Sequence, residues 1–535
     1  MAQSIDCLII GHNQMKFCDY EGMVGSMGKE SEPYQDLNLN FVRYNSEAIT
    51  AAETFNTFYK RAGNNKDIIN LGELFSATIA YLGTYIKRRG FTFDYVNSFQ
   101  DEKEELAKKL RENNVLTIAI TTTLYVSSYP ISEIISFVRQ YNTTAKIIVG
   151  GPFVSTNART QNEVTMEYIL CSLDADFYIN SSQGEFALVQ IINAVKNGLQ
   201  FNQISNIYFK QKSGYIRNNI EIENNILAEN MVDWSLFGDR VGRFATIRTA
   251  ISCPFSCSFC GFPQHAGKYQ TVDVETIEKE WRALDSIGTV KSIYIIDDTF
   301  NVPRDRFKDI LKMMIKNRFS FKWHSYFRCQ FADEEIISLM KESGCEGVFL
   351  GIESGSQEIL NNMSKASTIE KYREGMKLLR EYGIIINASF IIGFPGETYK
   401  TVQETVRFIE DTRPDFYRAQ LWYCEPITPI WKEKEKYGIK GSQFKWSHKT
   451  MDSKTGSKLV NEVFLSVKNS IWMPQYNFDS ASIFPLMQNG ININQIKEFM
   501  SCFQEGIAEK LKSPNQKNIS LELEKRMEAV FKAAK

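Results

Sequence analysis

Histidine is scarce, with four in 535 residues, and that leaves little room for histidine chemistry. Neither sign of charge is in excess, since 62 Lys and Arg face 63 Asp and Glu. A net charge of −1 gives no bulk attraction for nucleic acid and no dominant charged tail. Long apolar runs are also missing: the longest, at residues 384–394, is broken by Asn387 and Ser389 and falls short of the ~20 residues a bilayer crossing needs. No membrane partner is expected. The first short apolar run lacks a preceding basic region, so it does not read as a secretory signal, and a cytoplasmic location is expected. Ten cysteines are too sparse for a disulfide scaffold. Seven of them, Cys7, Cys18, Cys171, Cys329, Cys345, Cys424 and Cys502, are isolated and read as small hydrophobic side chains. The other three fall within one stretch of eight residues, 253–260.

What is present is a globular α/β pattern, with 43% hydrophobic and 23% charged residues and a length that predicts three to four domains. From residue 4 to about 197, strand-like runs at 5–10, 91–96, 115–121, 146–149 and 176–179 alternate with amphipathic stretches at 71–89, 101–112, 131–140 and 185–196. That alternation predicts a doubly wound domain over 1–197, whose ligand edge lies at the carboxyl ends of its parallel strands. Gly11, Thr122 to Tyr125, Gly150-Gly151-Pro152 and Gln183-Gly184-Glu185 fall at those ends. Residues 15–62 fit neither strand nor crossover and read as an insertion near that edge. A hairpin around 204–218 and polar sequence after it read as a connector, 198–243.

The alternation then resumes, with strands at 245–251, 292–296, 322–328, 347–352, 384–392 and 416–423, and helices between them. Six βα units within 244–430 predict a curved parallel sheet, a partial (β/α)6 barrel with its chemistry at the strand C-termini. Residues 431–535 are helix-patterned and read as an accessory domain.

The loop after the first of these strands reads Ser252-Cys253-Pro254-Phe255-Ser256-Cys257-Ser258-Phe259-Cys260-Gly261. Its C-x3-C-x2-C spacing can hold three irons of a cubane and leave the fourth open to a substrate. A zinc site completed by His265 and a chance cluster are the alternatives; zinc motifs usually bring a second cysteine pair, which this sequence lacks. At these residues the chain resembles the radical SAM superfamily, which has this spacing and an aromatic residue, here Phe259, before the third cysteine. The resemblance implies a 4Fe-4S cluster on Cys253, Cys257 and Cys260, whose open iron chelates S-adenosylmethionine. It further implies S-adenosylmethionine contacts from Phe259 and Gly261, from Asp297 and Asp298 after the second strand, and from Arg328 after the third. Glu353 and Ser354 after the fourth and Ile392 and Phe394 after the fifth complete that implied set.

A doubly wound domain ahead of such a barrel resembles the cobalamin-binding class of the superfamily. The resemblance implies cobalamin contacts from Gly11, Thr122, Thr123, Leu124, Tyr125, Gly150, Gly151, Pro152, Gln183, Gly184 and Glu185. Asp-x-His-x-x-Gly occurs nowhere, so no histidine is expected below the cobalt, and Ser182-Gln183 departs from the usual Gly-Glu pair. A nucleotide-binding or purely structural domain is the alternative. The stretches Ile10-Gly11-His12-Asn13, Ser26-Met27-Gly28 and Tyr34 to Phe41 resemble the phosphinothricin-type P-methyltransferase (PhpK-like) group. That resemblance implies methyl transfer from S-adenosylmethionine, by way of methylcobalamin, to an unactivated phosphinate phosphorus or carbon of a small molecule. An external one-electron donor such as flavodoxin or ferredoxin is then expected, and no nucleic acid. A cobalamin-binding radical enzyme catalysing a cyclisation or rearrangement, and a metal-dependent interaction protein, are the rival readings. His448 is read as an accessory-region contact with the barrel, and His12 as a turn residue.

Overall fold

A computed structural model describes residues 3–532 except Leu124, Val126 and Ser213. The chain forms two compact units, one of Met1–Met15, Leu74–Ser252 and Phe262–Thr289, the other of Lys16–Glu73, Cys253–Gly261 and Val290–Lys535.

The first unit is built on seven strands: β1 (Ser4–His12), β2 (Phe93–Ser98), β3 (Asn114–Thr121), β4 (Lys146–Gly150), β5 (Phe177–Ile179), β6 (Ile207–Gln211) and β7 (Gly214–Arg217). They lie in the order β7-β6-β5-β4-β3-β1-β2. The first five are parallel in a 2-1-3-4-5 arrangement, a doubly wound sheet whose chain reverses direction of growth between β1 and β3. The hairpin expected as a connector instead joins this sheet, β6 pairing antiparallel with β5 through Phe177, Tyr178 and Ile179. Side-chain alternation gives the sheet two buried faces. Leu8 and Ile10 join one core with Leu106, Leu110, Ile131, Ile134, Val138 and Leu170 of three covering helices. Cys7 and Ile9 are fully buried on the opposite face, where Ala77–Arg88 and Glu185–Asn197 meet β1. Later in this unit β8 (Phe244–Ile247) pairs in parallel with Leu74 and Phe75.

The second unit carries β9 (Ser292–Ile295), β10 (Lys322–Phe327), β11 (Cys345–Glu353), β12 (Ile385–Ile392), β13 (Phe416–Leu421) and the short β14 (Ile471–Trp472). Each pairs in parallel with the next. All eight residues of β12 are buried, as a central parallel strand covered on both faces requires. The helices Glu334–Glu342, Ile369–Glu381 and Tyr399–Thr412 start at Asp333, Thr368 and Thr398, whose side chains accept from backbone N–H groups of the first turn and so hold each crossover's entry point.

Residues Lys16–Glu73, which include all of the expected insertion but Met15, belong to this second unit. Their aromatic side chains find partners far along the chain: Phe55 lies 4.2 Å from Phe499 and 5.0 Å from Phe531 between ring centroids. The buried Lys510 ammonium donates to the carbonyls of Asn38 and Phe41, both at 2.6 Å. The C-terminal part is mainly helical, with Ser453–Ser466, Ser480–Gln488, Ile493–Lys512 and Leu521–Lys532. Among the described residues no helix is long and apolar enough to cross a membrane.

Candidate active site

The cysteine loop is held by its own backbone and by the segments after β11 and β13. Ser258 N–H donates to the carbonyl of Met363 at 2.8 Å, its carbonyl accepts from Ile430 N–H at 2.9 Å, and Cys260 N–H donates to Cys257 carbonyl at 3.1 Å. Gly261 is buried where a Cβ would come within 2.9 Å of Ile427 and 3.1 Å of the Glu425 carboxylate. Cys253, Cys257 and Cys260 are thiols, not disulfide partners. Among the described residues no three His, Cys, Asp or Glu side chains form a group that could hold a metal ion. A cubane offers a different iron to each thiolate and does not need three thiols on one point.

The strand ends surround this loop with charge. Arg328, just past β10, sets its Nη2 3.7 Å from Cys257 Sγ and donates to Lys365 carbonyl at 3.1 Å. Its guanidinium carbon lies 3.6 Å from the ring centroid of Phe255, and Nη1 is buried with no partner. Arg328 therefore sets a fixed cation against the Cys257 sulfur. Cys253 Sγ lies 3.8 Å from Thr299 Oγ1, and burial pushes the free thiol up, a penalty that metal binding would relieve. Lys365 Nζ pairs with Glu353 Oε1 at 3.1 Å and lies 5.4 Å from the ring centroid of Phe259. Glu353 itself has φ +72, at a register shift in β11.

Asp297 is almost fully buried. Burial, reinforced by the Asp297 charge, raises the Asp298 carboxyl to about 7, and a cationic ligand would restore its ionised form. Ser354 is fully buried; its hydroxyl lies 3.4 Å from Thr405 Oγ1 and accepts from Ser356 N–H at 3.1 Å. Ile392 and Phe394 are fully buried, with Phe394 edge-on to Trp422 at 5.5 Å. His448 Nε2 lies 3.0 Å from Gly393 carbonyl, the contact expected of it. The structure thus gathers the three cysteines, Phe259, Arg328 and Glu353 around one loop.

In the first unit the sequence-predicted residues fall at the carboxyl ends of β1, β3, β4 and β5. Gly151 has φ +114, and a Cβ there would lie 2.8 Å from Thr122 Oγ1, so the turn requires glycine. That hydroxyl donates to Gly150 carbonyl at 3.0 Å and accepts from Phe153 N–H at 3.2 Å, next to Pro152 at the helix start. Gly11 packs against Asn97 with no room for a Cβ. Thr123 is exposed, and Leu124 lies outside the described residues. Tyr125 hydroxyl accepts from Asn13 N–H at 2.6 Å, and its ring centroid lies 5.6 Å from that of His12, whose pKa burial lowers. Gly184 has φ +82, Gln183 Oε1 accepts from Asn225 N–H at 2.9 Å, and Asn225 Nδ2 donates to Glu185 Oε2 at 2.9 Å. Arg248 Nη2 stands 4.0 Å from Glu185 Oε1. Sequence reasoning missed Asn225 and Arg248; no motif marks them.

Residues 247–409 match the family model of the radical SAM superfamily. An uncharacterized methyltransferase of Pyrococcus horikoshii is 26% identical over 339 residues, covering 61% of this chain and 71% of that protein. An anaerobic magnesium-protoporphyrin IX monomethyl ester cyclase of Cereibacter sphaeroides is 25% identical over 383 residues, covering 67% and 60%. Among solved structures, that of the radical S-adenosylmethionine methyltransferase TsrM from Kitasatospora setae, with cobalamin and a 4Fe-4S cluster bound, has a TM-score of 0.60 at 16% identity. It covers 83% of this chain and 97% of the other. The likeness establishes the architecture of a Rossmann-like domain and a radical SAM barrel.

Proposed function

We propose that this chain is a radical SAM enzyme and, within that class, a cobalamin-dependent methyltransferase acting on an unactivated phosphinate phosphorus or carbon of a small molecule. One observation carries the reading: a three-cysteine loop flanked by Arg328 and Glu353 shares a chain with a 2-1-3-4-5 sheet bearing glycine turns at its ligand edge. When bound, the cluster, S-adenosylmethionine and cobalamin supply the electron, the radical chemistry and the methyl carrier. The chain's residues do the holding. Cys253, Cys257 and Cys260 would ligate three irons, Asp298 would take the ammonium of S-adenosylmethionine, and Arg328 its carboxylate. The backbone turns at Gly11, Gly150-Gly151 and Gln183-Gly184 would admit cobalamin closely because they carry no bulk there.

The TsrM structure is described with cobalamin and a 4Fe-4S cluster, and the Pyrococcus relative is named a methyltransferase; both support the reading. The phosphinate rests on the P-methyltransferase resemblance of residues 10–41. A small-molecule substrate, a flavodoxin-type or ferredoxin-type donor and a cytoplasmic setting are part of the proposal. A second reading, cyclisation without methyl transfer, is favoured by the similarity to the ester cyclase. Incubating reconstituted enzyme with deuteromethyl S-adenosylmethionine and a cell extract of its host distinguishes them. A product gaining the labelled methyl supports methyl transfer, whereas 5'-deoxyadenosine without any methylated product favours cyclisation.

A further inference from the structure

The registered rows of the second sheet put a polar patch on one face. Tyr326 pairs with Phe349, Phe349 with Asn387 and Gly351 with Ser389, and Ser389 with Arg418, so these side chains point the same way. At the foot of this face the ring of Phe484 stacks on His324 at 4.1 Å, and a Cβ on Gly347 would meet that ring. The helix Ser480–Gln488 therefore closes the bottom, and its N-cap residue is Asp479.

Arg418 is the cation of this face. Its Nε lies 3.5 Å from Ser389 Oγ and its guanidinium carbon 5.4 Å from the Phe349 ring; among the described residues it has no ion-pair partner. Its charge nonetheless reaches two carboxyl groups from distant segments, Asp36 and Asp479. Both keep accessible surface, yet both are desolvated: burial raises Asp36 to about 6 and pushes Asp479 up, with Arg418 only partly opposing. Asn387, 2% exposed, turns an amide onto the same face with neither Oδ1 nor Nδ2 partnered. A buried amide without partners is costly and points to a ligand that supplies them.

We propose that this face binds a small dipolar molecule, with an oxyacid anion on Arg418 and Asn387 and an ammonium group against Asp479 and Asp36. A guanidinium free of carboxylate partners can take a carboxylate or phosphinate through two parallel hydrogen bonds. One cation facing two carboxyls leaves a negative charge over, which an ammonium group balances. The inference rests on the methyltransferase reading only in naming this as the substrate's place, and it is tested by binding without turnover, so either can fail alone.

The test uses full-length reconstituted enzyme under anaerobic conditions and 31P NMR line broadening. The probes are aminomethylphosphinic acid, methylphosphinic acid, which lacks the amine, and glycine as a competitor. Aminomethylphosphinic acid is expected to bind at least tenfold tighter than methylphosphinic acid. Arg418→Gln should weaken both at least tenfold. Asp479→Asn keeps a good N-cap and should weaken only the amine-bearing probe, at least fivefold. Displacement by glycine assigns a carboxylate site, and phosphinate binding that glycine leaves intact assigns a phosphinate site. Thermal melts verify folding; should Arg418→Gln fail to fold, Arg418→Lys is expected to lose at least threefold. Equal binding of the two phosphinates, unchanged affinity in a folded Arg418 variant, or no broadening with either probe overturns the proposal.

Discussion

Arg328 places its Nη2 3.7 Å from the Sγ of Cys257, so the residue just past β10 touches the loop that carries the three thiols. Its other contacts, on Phe255 and Lys365, use the flat face and the fork that lysine lacks. Arg328→Lys is expected to lose a cation–π contact and a charged hydrogen bond, together about 1–2 kcal/mol. Iron content should stay unchanged while equilibrium dialysis shows about tenfold weaker S-adenosylmethionine binding. Wild-type affinity would contradict the placement.

Cys257 is the buried thiol of the loop, and under the proposed assignment Cys257→Ala removes a cluster ligand. Reconstituted variant protein should lose the broad absorbance of the cluster and all cleavage of S-adenosylmethionine. Retained cleavage would sink the assignment of this cysteine.

Lys365 and Glu353 form a nearly buried pair, with side chains 8% and 11% exposed. Lys365→Met alone leaves an uncompensated buried carboxylate and should cost about 3 kcal/mol or more in chemical denaturation. Lys365→Met with Glu353→Gln should recover part of that loss, because no charge is then stranded. A double variant as unstable as the sum of the single ones would show that the pair is not coupled.

The same local cues that define the strands made most of this architecture legible. Alternating apolar runs marked β1 to β5 and β9 to β13, and C-x3-C-x2-C is a spacing within one loop. What stayed hidden depends on distant parts of the chain. Phe55 finds Phe499 and Phe531, so residues 16–73 fold with the C-terminal helices, and no periodicity announces such a pairing. Arg418 and Asp479 are single residues whose meaning comes from the face they share with Asn387. The alternation in Phe416–Leu421, with Arg418 and Gln420 less buried than their neighbours, was the one available hint. Glu185 was legible as part of a turn, but Arg248 and Asn225, which hold it, were not.

Glu397 carries a pH dependence of stability. Its carboxylate accepts from Gly393 N–H, the other oxygen is buried without a partner, and burial raises its pKa from 4.5 to about 8. Between those values the folded chain holds a proton that the unfolded chain has released. Stability from this group is therefore complete below about 4.5 and falls as pH rises toward 8, by about 1.4 kcal/mol per unit. Glu397→Gln should flatten the fall in melting temperature from pH 6 to 8, and an unchanged slope would contradict the assignment.

The central claim is that one chain holds both a cluster and cobalamin for methyl transfer. It is tested most directly by anaerobic iron, sulfide and cobalamin analysis of reconstituted protein, followed by mass spectrometry of its S-adenosylmethionine products. The account predicts about four irons and one cobalamin per chain, with both 5'-deoxyadenosine and S-adenosylhomocysteine formed. A cluster with no cobalamin and no S-adenosylhomocysteine would contradict it.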